Sequence, residues 1–461
     1  MFATICAAMP ADSDYPARTA QLDILGRILA GTFYDVLPYE FHEERNAAGE
    51  YIPLRSRRPS VRYPLARIVV DDSLALVFSD GHFPTIDCAD PVVRSALADI
   101  AQESTFNQVM AEAVLRGSVG SVAIQLRVLR SRVFFRVLNT LYLTPIWDPE
   151  APDTLLSVVE KYKVRGDALL AQGYDIADPT GQYWFQRAWD NDTETWFLPV
   201  PVASPGAPQI DPERSVTHAL GFVPIVWVRN LPGGAEPDGA CTFRAAVETS
   251  IEIDYQLSQA GRGLKYSSDP TLLIREPASD GNEIIRGGGN ALIVSEKGDA
   301  RMLEIGGTAS AAVIDYVRAL REMALEGVHG NRASADRLSA AQSGRALELM
   351  NQGLIWLADN LRVSYGAAML SLARMVLKAT GQYSLTAFGA PVPKLDPAAR
   401  LTLVWPRWYA PTASDCLQDA QTLASLTDRG IVSRQTALKS VADIYNVDDI
   451  AAEMARITAN Q

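Results

Sequence analysis

The segment FRAAVETSIEIDYQLSQAGRGL, residues 243–264, sets small and apolar side chains at Phe243, Ala246, Ser250, Ile253, Leu257, Ala260 and Leu264, steps that alternate three and four. That period predicts a helix with a heptad-like seam. Val247 and Ile251 lie beside the seam, so the helix carries apolar surface for more than one neighbour. A second helix is predicted over 310–326, with Val313, Tyr316, Val317, Leu320 and Ala324 on one face and Gly327 after its end. Between the two, short strands are expected at 271–274, 291–294 and 302–305, linked by the glycine run at 287–289 with Asn290 and by Lys297-Gly298. The decisive pattern is therefore helix, β insert, helix.

Upstream, residues 60–230 read as an α+β unit with a mostly antiparallel sheet. Apolar positions from Val92 to Leu115 predict one helix over 92–116 ended by Gly117. From Val119 to Trp147, β-branched and aromatic residues predict two or three strands, and further strands are expected at 156–164, 183–189, 195–199 and 222–228. Pro232-Gly233-Gly234 is a breaker cluster and marks a boundary. Downstream, residues 328–342 are poor in large apolar side chains and read as an exposed loop. A helical pattern of about 40 residues follows over 340–378, roughly 60 Å if continuous. Gly353 and Gly366 lie inside it, and a bend is expected at one of them. A strand at 401–405 then precedes a tail, 414–457, that reads as two or three small helices.

The chain has 461 residues, 48% hydrophobic and 21% charged, which is ordinary for folded domains and long enough for two to four structural units. No apolar run reaches bilayer length, so no membrane association is expected. The first nine residues lack a basic start and predict no signal peptide. Cys6, Cys88, Cys241 and Cys416 are widely scattered, with no CxxC pair, which predicts neither a disulfide framework nor a zinc knuckle and points to a reducing compartment. The net charge of −12 argues against a protein that grips DNA by neutralising phosphates. It leaves room for a surface that DNA slides past.

Signatures of chemistry are missing. No segment supplies the phosphate-cradling GxxxxGK[ST], GxSxG, HExxH or a dinucleotide GxGxxG after a strand, so no catalytic residue and no cofactor is predicted. With four histidines, the nearest approach to a ligand set is Asp80, His82, Asp87 and Cys88, whose plainer reading is a surface turn. The acid pairs Asp71-Asp72 and Glu43-Glu44 read as solvated edges, because sequence neighbours point different ways.

The order helix, β insert, helix, polar loop, long helix resembles the portal family of tailed bacteriophages, siphovirus type, across roughly residues 90–380. Ser343-Gly344-Arg345-Ala346-Leu347, leading from the polar loop into the long helix, is its most specific part. Gly221 to Val226 (GFVPIV) is similar to the family's strand before the first stem helix, and Leu138 to Asp148 (LNTLYLTPIWD) to a strand and turn of its wing. The resemblance implies a non-enzymatic subunit of a ring, usually of twelve copies, at one capsid vertex. Double-stranded DNA passes through such a ring without being read for sequence. Its implied partners are the terminase large subunit, the major capsid or a scaffolding protein, and head–tail connector proteins.

The same resemblance assigns parts. Residues 1–230 would be the N-terminal region and α+β wing, 242–266 and 310–327 the stem helices, and 267–309 the clip. Residues 328–342 would be a tunnel loop, 343–412 the long kinked helix and a wing strand, and 413–461 a helical crown. Asn331, Arg332, Ser334 and Arg337 would touch DNA phosphates, with the arginines making transient charge-assisted contacts. Glu248, Glu252 and Asp254 would line the channel, and Arg286, Lys297, Asp299 and Arg301 in the clip would meet terminase or connector. The rival readings are a metal-dependent hydrolase of a phage or bacterial polymer working through the His82 cluster, or another oligomeric virion component such as an adaptor.

Overall fold

The computed structural model describes residues 2–9, 12–37, 45–53, 56–268, 271–277, 294–303, 308–330, 348–409, 412–442, 444–445, 447 and 449–459. The chain opens with helices α1 (Phe2–Ala8) and α2 (Ala17–Ala30), and α2 ends on Gly31, whose φ of 72° needs the freedom of glycine. Helix α3 (Leu65–Phe78) and strand β1 (Thr85–Cys88) follow. Helix α4 (Pro91–Glu103) starts where Pro91 fixes its first turn and the Asp90 carboxylate accepts the Val92 N–H at 2.8 Å. Helix α5 (Phe106–Gly117) is separate from it, which corrects the single helix expected over 92–116. The apolar period runs across the break, but Thr105 turns left-handed at φ 51° and stops the hydrogen-bond ladder.

Strands β2 (Ser121–Leu129), β3 (Arg132–Leu138) and β4 (Leu143–Trp147) come next, then β5 (Leu155–Arg165), short α6 (Gly166–Ala171), β6 (Gln182–Trp189), β7 (Thr193–Phe197), β8 (Val200–Pro201), β9 (Ile210–Thr217) and β10 (Ile225–Arg229). Helix α7 (Val247–Ser268), strands β11 (Thr271–Pro277) and β12 (Val294–Leu303), and helix α8 (Thr308–Gly327) realise the helix, β insert, helix pattern. Lys297-Gly298 lies inside β12 rather than in a turn, so that expectation is corrected; the Gly287–Gly289 turn falls outside the described residues. Helix α9 (Gln352–Gln382) has 31 residues, about 46 Å at the helical rise, and its helical backbone runs unbroken through Gly366. Strands β13 (Thr386–Ala387), β14 (Ala390–Pro391) and β15 (Leu401–Val404) precede helices α10 (Ala413–Asp428), α11 (Arg434–Val441) and α12 (Ile450–Ala459). Thr412 and Asp415 form a reciprocal capping box at the start of α10.

The chain divides into two units. The first takes residues to Asp71, 118–120 and 232–328, so the first 71 residues belong with α7 and α8 rather than with the sheets that follow them in sequence. Its core joins Leu22, Leu25, Phe33 and Tyr34 to Phe243, Val247, Ile251, Ile253 and Tyr255, all buried. The expected seam holds at Phe243, Ala246 and Ile253, while Leu264 is 49% exposed. Strands β11 and β12 pair antiparallel, from Thr271 opposite Leu303 to Arg275 opposite Asp299.

The N-terminal segment is fastened to α7 by polar groups. The Tyr34 hydroxyl donates to Asp254 Oδ2 at 2.7 Å, and the Tyr63 N–H to Asp254 Oδ1 at 2.6 Å. The Val61 N–H donates to Ser258 Oγ at 2.9 Å, and the Tyr255 hydroxyl to the Arg57 carbonyl at 2.6 Å. Burial pushes the Asp254 carboxyl up to about 6, against the downward pull of the Tyr63 and Tyr34 hydrogen bonds and the Arg62 charge.

The second unit holds Asp72–Gly117, 121–231 and 329–461. Three strands pair in the order β10, β2, β3, and a larger sheet runs β4, β5, β6, β7, β9 with β8 beside β6. Strand β1 pairs with β15. In β2 both faces are buried from Ser121 to Leu126, because α5 packs on it and α9 packs on its neighbour β10. Strand β6, QYWFQRAW, alternates strictly, with Tyr183, Phe185, Arg187 and Trp189 inward. One apolar cluster binds α4 to α9 through Val93, Leu97, Ile100, Val376 and Leu377. Within α9, Tyr365 is fully buried and its hydroxyl donates to Asn230 Oδ1 at 3.1 Å.

Two expectations follow. A Cβ at Gly117 would overlap the Tyr365 hydroxyl, so Gly117→Ala should cost about 1–3 kcal/mol in urea unfolding despite alanine's better helix propensity. Adding Tyr365→Phe should recover part of that loss, a coupling that a double-mutant cycle measures. For Asp254 the folded value lies above the ordinary one of about 3.9, so the group holds its proton more tightly folded than unfolded. Its contribution to stability should decline as pH rises from about 4 to about 6 and stay level above that. Asp254→Asn should flatten this part of the profile of melting temperature against pH, and Tyr34→Phe should cost about 2 kcal/mol at neutral pH.

Candidate functional site

The α7–β11–β12–α8 stretch gathers most of the described residues that the sequence singles out. On α7, Glu248 lies exposed in the first turn, and Glu252, one turn on, is half-buried and accepts a hydrogen bond from Gln256 Nε2 at 2.7 Å. Asp254 does not share that face. It is 5% exposed and both of its oxygens are engaged by the N-terminal segment, which corrects its expected place on a channel wall. The physical reason is helical geometry: two residues past Glu252 is more than half a turn, which carries the side chain inward.

On β12, Lys297, Asp299 and Arg301 occupy every second position of the strand. Asp299 is exposed and stands opposite Arg275 in the ladder. Arg286 lies outside the described residues, as do Asn331, Arg332, Ser334, Arg337 and the Ser343–Leu347 motif. The loop's described approach is short: Val328 and Gly330 are buried, and His329 takes a left-handed φ of 55° with its ring against Trp356.

The His82 cluster does not converge. Its Nδ1 meets the Ser79 hydroxyl and its Nε2 the Trp408 carbonyl, each at 2.8 Å, so both ring nitrogens already have partners. Asp87 pairs with Arg94 at 3.4 Å, and Cys88 is buried in the α4–α9 core. Among the described residues no group of His, Cys, Asp and Glu is arranged to hold a metal ion. Likewise, no described helix is long and apolar enough to cross a membrane.

Two arrangements escape the sequence. Arg187 is 4% exposed and points into the larger sheet's inner face, paired with Glu160 at 2.5 Å and near Glu194 at 3.7 Å, over the rings of Trp189 and Trp196. The strict alternation of β6 is the signal that puts Arg187 inside. Arg362 on α9 stacks over Trp405 and Trp408, and burial lowers its guanidinium to about 10. No local signal marks it, since its partners arrive from beyond β15.

These placements describe a mixed α+β protein whose candidate site is the helix pair α7 and α8 with the antiparallel strands β11 and β12 between them in sequence. Residues 34–461 match the family described as phage portal protein, SPP1 Gp6-like. Curated proteins offer no sequence match. Two solved structures are similar to the chain at low identity. The neck of a native GTA particle computed with C12 symmetry is 10% identical, with 81% of this chain and 89% of that one covered at a TM-score of 0.41. The neck of an empty GTA particle computed with C6 symmetry is 11% identical, with 95% and 97% covered at a TM-score of 0.44. The family match spans nearly the whole chain, and the chain belongs to the SPP1 Gp6-like phage portal proteins, non-enzymatic structural components of the virion's portal vertex that serve DNA packaging.

Proposed function

We propose that copies of this chain assemble into a ring at one capsid vertex, usually of twelve in this family, through which double-stranded DNA enters and leaves. The observation that carries the reading is the family match over residues 34–461. The helix pair α7 and α8, with the antiparallel strands β11 and β12 between them in sequence, supports it.

In this reading α7 and α8 form the stem, 267–309 the clip, and 328–342 a loop that meets DNA. The wing comprises most of residues 72–230 and the strand in 343–412, with the long helix α9 beside it, the first 71 residues stay with the stem helices, and 413–461 forms the crown. Glu248 and Glu252 face the channel. Their carboxylates repel phosphate, so DNA passes without adhering, and the contribution weakens as salt screens it. Arg332 and Arg337, flanked by Asn331 and Ser334, supply brief contacts to the DNA backbone that carry no sequence information. Arg286, Lys297, Asp299 and Arg301 offer a mixed-charge clip to the terminase large subunit and, after packaging, to connector proteins. The major capsid or a scaffolding protein is the partner that sets the ring in its vertex.

Native mass spectrometry and negative-stain microscopy on the purified chain should find closed rings with a central channel; a monomer at all concentrations and salts would sink the reading. Arg332→Ala with Arg337→Ala should leave ring mass unchanged and lower the yield of DNA protected from nuclease in a packaging assay by several-fold. Unchanged packaging would remove the two arginines from the DNA path.

A further inference from the structure

A closed ring joins each copy to the next through two different patches, one on each side of the subunit. The first unit carries a pair that match. The solvent side of α8 bears an apolar stripe, Ala312, Tyr316, Ala319 and Met323, at helical spacing. Tyr316 is 48% and Met323 56% exposed, which corrects the expected place of Tyr316 on the inner face, while the neighbouring face of α8, with Leu320, Ala324 and Leu325, is buried. Glu322 and Glu326 run exposed along one side of the stripe. Elsewhere in the unit, the end of α2, the start of α3 and the first turns of α7 enclose a cavity of about 390 Å³ open to solvent. Its walls include Ile28, Leu29, Leu65 and Ile251, and Arg62 and Arg67 are among its lining residues.

We propose that the α8 stripe of one copy seats in the α2–α3–α7 groove of the next, and that this contact closes the ring. The inference rests on the ring reading above and adds the surface that makes it. Ridge meets groove, and apolar meets apolar. The acidic row of α8 meets the arginine side of the groove, where Arg67 forms an exposed pair with Asp71, and Arg62 pairs with Asp35 and also donates to the Gly31 carbonyl at 2.6 Å. Such pairs are worth little in water and exchange partners readily. Antiparallel pairing of two stripes would instead set the acidic rows of two copies against each other, which disfavours a symmetric dimer and leaves the head-to-tail contact.

The test places a benzophenone amino acid at position 316 of the full chain, mixes isotopically labelled and unlabelled copies, irradiates the assembled protein and maps the cross-links between copies. Rings with cross-links from 316 to residues 28–34 or 62–67 of another copy support the contact. Rings whose cross-links fall only elsewhere overturn it and leave the ring reading standing, whereas a protein that stays monomeric overturns both. Met323→Asp gives a second measure: with an unchanged circular dichroism spectrum, it should raise the concentration for half-assembly roughly tenfold or more. Assembly at the wild-type concentration by that folded variant would overturn the contact as well.

Discussion

Much of the first unit depends on how the surface of one helix is shared. Helix α7 gives one side to the N-terminal segment, through Asp254, Ser258 and Tyr255, and another to α8. A buried carboxylate is a costly fastener, since desolvation works against its charge. It persists because two donors, the Tyr34 hydroxyl and the Tyr63 N–H, meet it at hydrogen-bond distance. Among its described residues, α7 leaves Glu248, Gln259 and Leu264 exposed to solvent. Helix α8 has α7 on one side and keeps a broad face with Tyr316 and Met323 outward. The asymmetry between the two helices follows from that one polar attachment.

Legibility in the sequence follows the same physics. The strands of the larger sheet are visible because alternation in QYWFQRAW comes from a sheet with one inner and one outer face. Strand β9, IDPERSVT, is not visible: it lies at the edge of the sheet, where Pro212 is tolerated and burial leaves little period. The break at Thr105 is hidden because α4 and α5 continue one apolar rhythm, and periodicity is silent about a single residue that turns left-handed. The N-terminal helices are hard to place from sequence, since their partners on α7 lie some two hundred residues away and a hydrogen bond such as Tyr34 to Asp254 leaves no local trace. The candidate site was legible at the level of order, helix then paired strands then helix, because order survives when boundaries shift. Asp254 was misread because an acid two residues from Glu252 looks like one more member of a polar face; only the approach of Tyr34 and Tyr63 distinguishes it.

Net charge alone misleads about where cations stand. Several described arginines are committed within the fold: Arg18 grips Asp238 through two nitrogens, Arg187 sits by Glu160 and Glu194, and Arg362 stacks over two indoles. A guanidinium enclosed in this way is held by geometry and yields little to a passing phosphate. In a chain with a net charge of −12, such locking keeps the committed arginines from offsetting the net negative field. Under the proposed ring reading, attraction to the DNA backbone would come from arginines outside such pairs. Weak, scattered cations against a negative wall are what a conduit requires, because a strong phosphate grip would make the conduit a brake.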